Sequence, residues 1–239
     1  MVLAGHGHWA PWGKLDDAIR SGQSQASAAL GKSLWEYYAT PAGAGEAEYF
    51  TKAVESITGV VAREASRLID TKSVEFAVDV GGASGSLIHA LMGKNKVMRG
   101  TVLDLPHVKA AATKAAETLG LQDRLSVLGG DFLVSVPSAD LYLVSRILCD
   151  WPDDVCLSIL RNCRRAIKPG GRLVLIEMLV DEVDLPPFVS QTDLTMMVVL
   201  GAKERTLDEF KNMLQMANFD FTGMTRTATP FSLIEAISM

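Results

Sequence analysis

Three acidic residues accompany three successive apolar runs of the sequence, and a glycine-rich turn follows the first run. Asp79 lies within the first run, FAVDV, which leads directly into the segment GGASG at residues 81–85. Asp104 closes the second run, and Asp131 follows the third. Glycines let a backbone approach a ligand closely, and a carboxylate at a strand end can accept hydrogen bonds from ribose hydroxyls. These residue types therefore predict a binding site for a small ligand.

Two ligand classes compete for this pattern. A dinucleotide-binding loop needs the spacing G-x-G-x-x-G, whereas Gly81 and Gly82 are adjacent here and alanine follows them. Asp79 would repel a pyrophosphate, but it suits a ligand that carries an ammonium and a sulfonium group. Asp104 is placed to accept both ribose hydroxyls, and Asp131 is placed for an adenine amino group. Any one of these acids alone is equally compatible with a helix cap, but the set predicts an adenosyl amino-acid ligand.

The elements that must carry these residues alternate between strands and helices. Residues 1–72 have helical patterning, with an amphipathic stretch from about Glu46 to Leu68. From Val74 onward, apolar runs alternate with helical segments, and the helix predicted over Asp153–Ile167 ends before the turn signal KPGG. The predicted strands are FAVDV, MRGTVLDL, RLSVLGGD, ADLYLVSRIL and GRLVLIEMLV, followed by FDFTGMTRTA and FSLIEAISM. The alternation predicts an α/β fold, a doubly wound Rossmann-like sheet with its ligand beyond the carboxyl ends of the strands.

The composition argues against several classes of partner. The chain has 239 residues, 48% of them hydrophobic, which is sufficient for one core. Its net charge of −5 argues against a nucleic-acid surface, and no apolar run reaches the roughly 18 residues of a membrane span. The first residues, MVLAGHGHWAPW, lack the basic and apolar regions of a signal peptide. We therefore expect a cytoplasmic protein with neither nucleic acid nor a membrane as partner.

The cysteines and histidines form no recognisable disulfide or metal pattern. Cys149, Cys156 and Cys163 include no CxxC pair, and His6 and His8 form an HxH without an evident third ligand. Cys156 and Cys163 are seven residues apart, which places them on one face of a predicted helix, and we expect both to be buried. We predict no bound metal.

Five segments, VDVGGASG, TVLDLPHV, GGDFLVSVP, ILCDWPDD and GAKERT, follow the order of similar motifs in the caffeic-acid-type and hydroxyneurosporene-type O-methyltransferases. The chain resembles this family from about Ser33 to Met239. The resemblance implies the class I methyltransferase fold, with a last strand antiparallel to the others. It implies S-adenosylmethionine as the cofactor and S-adenosylhomocysteine as its product. It also implies a small acceptor molecule, aromatic or polyketide-like, with a hydroxyl group.

The resemblance assigns cofactor contacts residue by residue. Gly81 and Asp104 correspond to positions on the methionine and ribose parts of the cofactor, and Asp131 and Phe132 correspond to positions on its adenine. Ser145 takes a fourth-strand cofactor position where plant relatives often carry lysine. Trp151 corresponds to the family's pocket-wall tryptophan. The predicted cofactor-binding residues are Asp79, Gly81, Gly82, Gly85, Asp104, Leu105, Asp131, Phe132, Ser145 and Trp151.

Two positions depart from the family pattern. Ala83 replaces a common glycine, which we expect to shift the loop slightly. The family's general base is the histidine of an LHDW motif, whereas this sequence reads LCDW and places Cys149 there. The two acids that flank that histidine are kept as Glu177 and Glu204. The predicted catalytic residues are therefore Cys149, Glu177 and Glu204.

Three roles for Cys149 are open. A free thiol has a pKa of about 8.5 and is therefore mostly protonated at pH 7. Neighbouring carboxylates should raise the pKa of the thiol further. Cys149 is then a neutral bystander, or Glu204 or Glu177 deprotonates an acidic phenol or enol directly, or the cysteine itself acts as base or nucleophile. The alternative function is a domain that binds the cofactor but is catalytically impaired. Cofactor-assisted chemistry other than methylation is a third possibility.

The resemblance also divides the chain into two parts. Family members carry a winged-helix-like dimerisation domain ahead of the matched region. We expect residues 1–72 to be a remnant of that region, a helical segment that borders the dimer interface. Residues 73–239 form the predicted S-adenosylmethionine-binding domain, and a homodimer is the expected assembly.

Overall fold

The computed structural model describes residues 5–180 and 186–239. Its residue contacts divide the chain into two compact units, and the predicted division after residue 72 stays a prediction. The sheet unit comprises Thr58–Leu148, Asp153–Met178 and Leu207–Met239. The helical unit comprises Met1–Ile57, Cys149–Pro152 and Leu179–Thr206.

Seven strands form one sheet in the sheet unit. They are β1 (Phe76–Val80), β2 (Arg99–Asp104), β3 (Leu125–Gly129), β4 (Ala139–Ser145), β5 (Ile167–Met178), β6 (Phe219–Arg226) and β7 (Phe231–Ser238). Their order is β3-β2-β1-β4-β5-β7-β6. Strands β1 to β5 pair in parallel, whereas β7 is antiparallel to both β5 and β6. This topology confirms the predicted Rossmann-like sheet and the antiparallel last strand.

Near-continuous apolar runs form the central strands, as parallel strands covered on both faces require. All four residues from Leu141 to Val144 in β4 have 0% exposure, and Asp79 is the one ionisable residue of β1. The parallel register pairs Val80 with Leu103 and Asp104 with Gly129, so these strands end at the same edge of the sheet. We name this edge, together with the residues that directly follow β1 to β4, the carboxyl edge.

The described residues also form ten helices. They are α1 (His6–Trp12), α2 (Leu15–Ser21), α3 (Ala26–Leu30), α4 (Leu34–Tyr38), α5 (Ala44–Leu68), α6 (Ser86–Lys94), α7 (Lys109–Thr118), α8 (Asp153–Ala166), α9 (Pro187–Thr195) and α10 (Leu207–Met216). The long helix α5 confirms the predicted amphipathic stretch. None of these helices has the length and apolar character that a membrane span requires.

The boundary between α8 and β5 differs from the prediction. The helix ends at Ala166, before KPGG as predicted, but the strand already begins at Ile167, so the segment KPGG lies within the bounds of β5. Ile167 pairs with Ala139, and the register shifts before Leu141 pairs with Arg172. The strand absorbs the extra residues as an irregularity in its pairing with β4. On α8, both cysteines, Cys156 and Cys163, are 0% exposed, as predicted.

The helical unit has a small core of its own. Buried side chains in this core come from α2, α4 and a π-helical turn, Met196–Leu200, that continues α9: they are Ala18, Leu34, Tyr37, Val198 and Val199. The backbone N–H of Gln25 donates to the Val198 carbonyl at 2.7 Å, and the Ser24 hydroxyl donates to the Val199 carbonyl at 2.7 Å. These bonds satisfy carbonyls of the π-helical turn and fix it against the segment between α2 and α3.

Candidate active site

The turn after β1 requires glycine at two positions, one because of its backbone conformation and one because a neighbouring side chain leaves no room for a Cβ. Gly81 has φ +66, and its N–H donates to the Leu103 carbonyl at 2.8 Å, which ties the turn to β2. A Cβ on Gly82 would lie 2.5 Å from Cγ of Asp79, a side chain with no room to move because it is buried. The backbone is therefore exposed to a ligand where a side chain would be excluded.

Asp79 is the buried acid of the carboxyl edge, with only 2% of its surface exposed. Burial raises the pKa of Asp79 from an ordinary value of 3.8 to about 7, and the negative charge of Asp104 contributes to this rise. The Ile88 N–H, which donates to Asp79 Oδ2 at 3.4 Å, acts in the opposite direction. A cationic group bound beside Asp79 would favour its carboxylate form.

Asp104 connects two loops of the carboxyl edge. Its Oδ2 accepts the Ala83 N–H at 2.8 Å, and its Oδ1 accepts the Leu105 N–H at 2.7 Å. Its backbone carbonyl accepts the Gly130 N–H at 2.8 Å, so β3 is held as well. Each carboxylate oxygen has a second lone pair, which leaves both oxygens able to accept hydrogen bonds from a vicinal diol.

Asp131 and Phe132 lie on a loop that is held from within and from α8. Asp131 Oδ1 accepts the Leu133 N–H at 2.8 Å. The Asn162 amide donates to the carbonyls of Phe132 and Leu133 at 2.7 and 2.9 Å. Sequence reasoning missed Asn162, although a polar residue on the apolar face of α8 was the available signal. Asn162 fixes the backbone of this loop while the Asp131 side chain stays exposed.

The chain reverses direction directly after Ser145, the last residue of β4. Arg146 has φ +56, an uncommon conformation for a residue with a Cβ, and its N–H donates to the Ile176 carbonyl at 2.9 Å. The next two N–H groups, of Ile147 and Leu148, both donate to Glu177 Oε1 at 3.1 and 2.9 Å. Glu177 is 0% exposed, and these contacts show that it holds the start of the turn.

Cys149 lies in a single 3₁₀-helical turn, Leu148–Asp150, and 8% of its surface is exposed. We name the segment of the helical unit that contains it the turn Cys149–Pro152. Its Sγ lies within 4.8 Å of a carboxylate oxygen of Glu204 and 3.8 Å from Asp150 Oδ1. Glu204 is 4% exposed, and its N–H donates to Asp193 Oδ1 on α9 at 2.9 Å. The cysteine and one of the two predicted flanking acids are therefore neighbours in this unit.

Arg205 is a fully buried charge beside this pair, and sequence reasoning missed it. It is the largest of the fully buried side chains among the described residues. Its Nη2 donates to the Trp151 carbonyl at 2.7 Å, and Nη1 lies 3.4 Å from the Lys203 carbonyl. The motif GAKERT contains this residue, but its spacing gave no sign that the arginine would turn inward.

The predicted site residues fall into two groups by unit. The carboxyl edge of the sheet unit collects Asp79, Gly81, Gly82, Gly85, Asp104, Leu105, Asp131, Phe132 and Ser145. The helical unit contains Cys149, Trp151 and Glu204, and Glu177 is the last residue but one of the sheet-unit strand β5. The first group fits an adenosyl amino acid, because it offers a buried acid for a cation, a diol acceptor and an open glycine turn. The individual roles stay predictions.

Comparison with known proteins places the chain in a family. The profile of the O-methyltransferase domain matches residues 12–220. A phenazine O-methyltransferase, PhzM, from Lysobacter antibioticus is 34% identical over 236 residues, which cover 98% of this chain and 69% of that protein. Several other curated relatives are longer still, so the chain spans 59–69% of the length of the relatives compared.

Solved structures agree with this result. The mitomycin 7-O-methyltransferase MmcR matches 100% of this chain and 70% of its own with a TM-score of 0.92 and 31% identity. NcsB1, an O-methyltransferase from neocarzinostatin biosynthesis, matches 99% of this chain and 70% of its own with a TM-score of 0.81 and 28% identity. NcsB1 was solved with S-adenosylhomocysteine and 1,4-dihydroxy-2-naphthoic acid. By its sequence and its sheet topology, this chain belongs to the class I S-adenosylmethionine-dependent O-methyltransferases.

Proposed function

We propose that this chain transfers a methyl group from S-adenosylmethionine to a hydroxyl group of an aromatic or polyketide-like small molecule in the cytoplasm. One observation carries the proposal: Asp104 holds two loops of the carboxyl edge and still offers both of its oxygens to a diol. Family membership supports it, as do the relatives named for phenazine and mitomycin and the neighbour that binds a dihydroxynaphthoic acid. We propose neither a metal nor a nucleic-acid partner.

The residues of the carboxyl edge would hold the cofactor by complementary charge and hydrogen bonding. Asp79 would give up its proton when a cation lies beside it, because the positive charge lowers its raised pKa. Asp104 would accept the ribose hydroxyls, and Asp131 with Phe132 would receive the adenine. When bound, S-adenosylmethionine supplies a methyl group on a sulfonium sulfur, ready for attack by an acceptor oxygen.

Proton removal from the acceptor falls, in this proposal, to Glu204. Cys149 occupies the position of the family's histidine, but a neutral thiol is a poor proton acceptor at pH 7. The Glu204 carboxylate lies within 4.8 Å of that thiol. Glu177 has a different part, because its Oε1 already receives the Ile147 and Leu148 N–H groups and thereby fixes the turn that leads to Cys149.

A carboxylate base implies a preference for acidic acceptors. An ordinary glutamate has a pKa of about 4.3, and an ordinary histidine has a pKa of about 6.5. Glutamate is therefore the weaker base, and it removes a proton from a phenol of pKa about 10 less readily than histidine does. Acceptors such as acidic phenols or enols, which ionise closer to neutral pH, would reduce this disadvantage. We therefore propose that the acceptor hydroxyl is more acidic than that of simple phenol.

The test is to incubate the purified chain with S-adenosylmethionine and a panel of hydroxylated aromatics whose hydroxyl pKa values range from about 6 to 10. Release of S-adenosylhomocysteine together with a methylated product supports the proposal, and turnover should rise as the hydroxyl becomes more acidic. The Asp104→Ala variant is the negative control. A panel without any methylated product, in a protein that binds the cofactor, contradicts the proposed activity.

The second candidate function is a domain that binds the cofactor and is catalytically impaired. The substitution of the family's histidine by Cys149 favours this alternative. Calorimetry with S-adenosylhomocysteine measures cofactor binding independently of turnover. Binding without turnover supports the impaired domain, and absence of binding contradicts both candidate functions.

We also propose a homodimer in which the helical segment at residues 1–72 borders the interface. Large aromatic side chains of this segment are exposed: Trp9 by 69%, Trp35 by 51% and Tyr49 by 74%. Exposed aromatic groups of this size favour association with another surface. Sedimentation over a wide range of concentration is the test, and a monomer throughout would contradict the dimer.

A further inference from the structure

Arg205 is a charged side chain with 0% exposure that lies among main-chain carbonyls of the helical unit. Burial of a guanidinium is unfavourable unless hydrogen bonds replace its lost hydration. Its Nη2 donates to the Trp151 carbonyl at 2.7 Å, and its Nη1 approaches the Lys203 carbonyl at 3.4 Å. A planar group with several donors is suited to reach two carbonyls in different directions, whereas the single ammonium of lysine is not.

The two segments that Arg205 joins carry Cys149 and the proposed base Glu204. Trp151 belongs to the turn Cys149–Pro152, and Arg205 directly follows Glu204 in the chain. The Cys149 thiol lies within 4.8 Å of a Glu204 oxygen. The backbone on the Glu204 side has other supports, because the Arg205 carbonyl accepts the Val180 N–H at 3.1 Å and the Glu204 N–H donates to Asp193.

We propose that Arg205 is a positioning residue that fixes the turn Cys149–Pro152 against Glu204, and this inference rests on the proposed function. Its guanidinium donates to the main-chain carbonyl of Trp151 in that turn, and Arg205 directly follows Glu204 in the chain. Replacement of Arg205 should therefore release the turn, while Glu204 keeps its bond to Asp193. The predicted cofactor residues of the carboxyl edge lie in the other unit, so the affinity for S-adenosylmethionine that depends on them should be kept.

The test measures the alkylation of each cysteine by iodoacetamide, with mass spectrometry on the folded full chain. In Arg205→Met, the rate at Cys149 should rise by about tenfold or more, the change that loss of a hydrogen bond to a charged group corresponds to. Cys156 and Cys163, both 0% exposed, should remain as slow as in the unaltered protein. Loss of a positive charge by itself disfavours the thiolate, so a faster reaction reports release of the turn.

Arg124→Met is the matched control. The Arg124 guanidinium also donates to main-chain carbonyls, those of Asn95 and Met98 at 3.1 and 2.8 Å, but it lies in the sheet unit. This variant should leave the alkylation rate of Cys149 unchanged. Arg205→Lys, which keeps the charge but loses the planar group, should accelerate Cys149 as Arg205→Met does and remains useful where the methionine variant fails to fold.

Three results would overturn the positioning role: equal acceleration of all three cysteines, an unchanged Cys149 rate in both Arg205 variants, or failure of both variants to fold. With an acceptor in hand, both variants should lower kcat and leave the KM for S-adenosylmethionine unchanged. If the unaltered chain methylates no acceptor, the proposed function is wrong, yet the alkylation rates still decide whether Arg205 positions the turn.

Discussion

The carboxyl edge of the sheet unit and the turn Cys149–Pro152 of the helical unit differ in how they relate to the family pattern. At the carboxyl edge, the acids are those predicted from the resemblance to the family, and backbone N–H groups hold Asp104 and Asp131 in place. The turn departs at Cys149, yet its surroundings still hold it through Arg205. The same chain thus preserves the features that predict what it binds and alters the residue that would decide how fast it reacts. Binding and turnover can therefore be tested separately.

The largest expected effect is on stability, at the buried acid of the carboxyl edge. Asp79 has a folded pKa of about 7 and an ordinary value of 3.8, so the folded protein binds more protons than the unfolded one between these values. Its contribution to stability is therefore present at low pH and is lost as the pH rises from about 4 to 7. Asp79→Asn removes this loss, which at 1.36 kcal/mol per pKa unit amounts to at most about 4 kcal/mol above pH 7.

Urea unfolding of both proteins at pH 5 and pH 8 measures this effect. The stability gained by Asp79→Asn should be about 2–3 kcal/mol larger at pH 8 than at pH 5. Other titrating groups are common to both proteins and cancel in the difference. If the gain in the free energy of unfolding is the same at both pH values, burial does not raise the pKa of Asp79.

The next effect concerns cofactor affinity. Asp104→Ala removes the acceptor of both ribose hydroxyls and should weaken S-adenosylhomocysteine binding by about 1.5–3 kcal/mol, the range for hydrogen bonds to a charged group. Asp140→Ala is the matched control, because Asp140 also accepts two backbone N–H groups, from Glu75 and Phe76, but at the opposite end of β4. Calorimetry in which both variants bind equally well would contradict the ribose assignment.

Cys149→His tests the region that departs from the family. A neutral imidazole accepts protons at pH 7, and the neighbouring Glu204 can orient it. Recovery of a tenth of an ordinary general-base effect would raise kcat on a phenolic acceptor by at least about tenfold. Cys149→Ala should match the unaltered chain. If alanine instead abolishes a measurable activity, the cysteine is the working group and Glu204 is not the base.

The smallest effect is expected in the glycine turn. Ala83 has φ +48, a conformation that costs a residue with a Cβ about 1 kcal/mol and that glycine adopts freely. Ala83→Gly should change the free energy of unfolding by less than about 1 kcal/mol, because the greater flexibility of glycine in the unfolded chain offsets the relief. Asn218→Gly, at φ +61, is the control, since asparagine tolerates this conformation better. A loss of several kcal/mol would show that the Ala83 methyl group has a packing role.

Much of the fold could be predicted because parallel strands buried on both faces leave continuous apolar runs, as FAVDV and LYLVS do. The short helices α1 and α3 lie in the region predicted to be helical, but they were not predicted individually, since 7 and 5 residues give too few turns for a periodic pattern. The segment KPGG reads as a turn, but pairing of Ile167 with Ala139 draws it into β5. Within β5 the segment keeps turn-like geometry, because Gly170 has φ +72 and the pairing with β4 resumes only at Arg172.

The cofactor acids were predictable because Asp79 and Asp104 lie in, and Asp131 lies just after, strands whose register places their ends at one edge. Asn162 and Arg205 were not, because nothing in their spacing shows which backbone carbonyls their side chains will reach. The same limit applies to Glu177, whose contacts with two N–H groups depend on the unusual backbone conformation of Arg146. Residues that support a site through the main chain leave little trace in a sequence motif.

The double role of Asp104 has a thermodynamic consequence. Both of its oxygens already hold backbone N–H groups from the loops that follow β1 and β2, so these loops have lost their freedom before any ligand arrives. A diol that binds there need not order them again, and the entropic cost of association is correspondingly small. We accordingly expect the ribose to bind to a preorganised site, with a fast association and little change in the backbone.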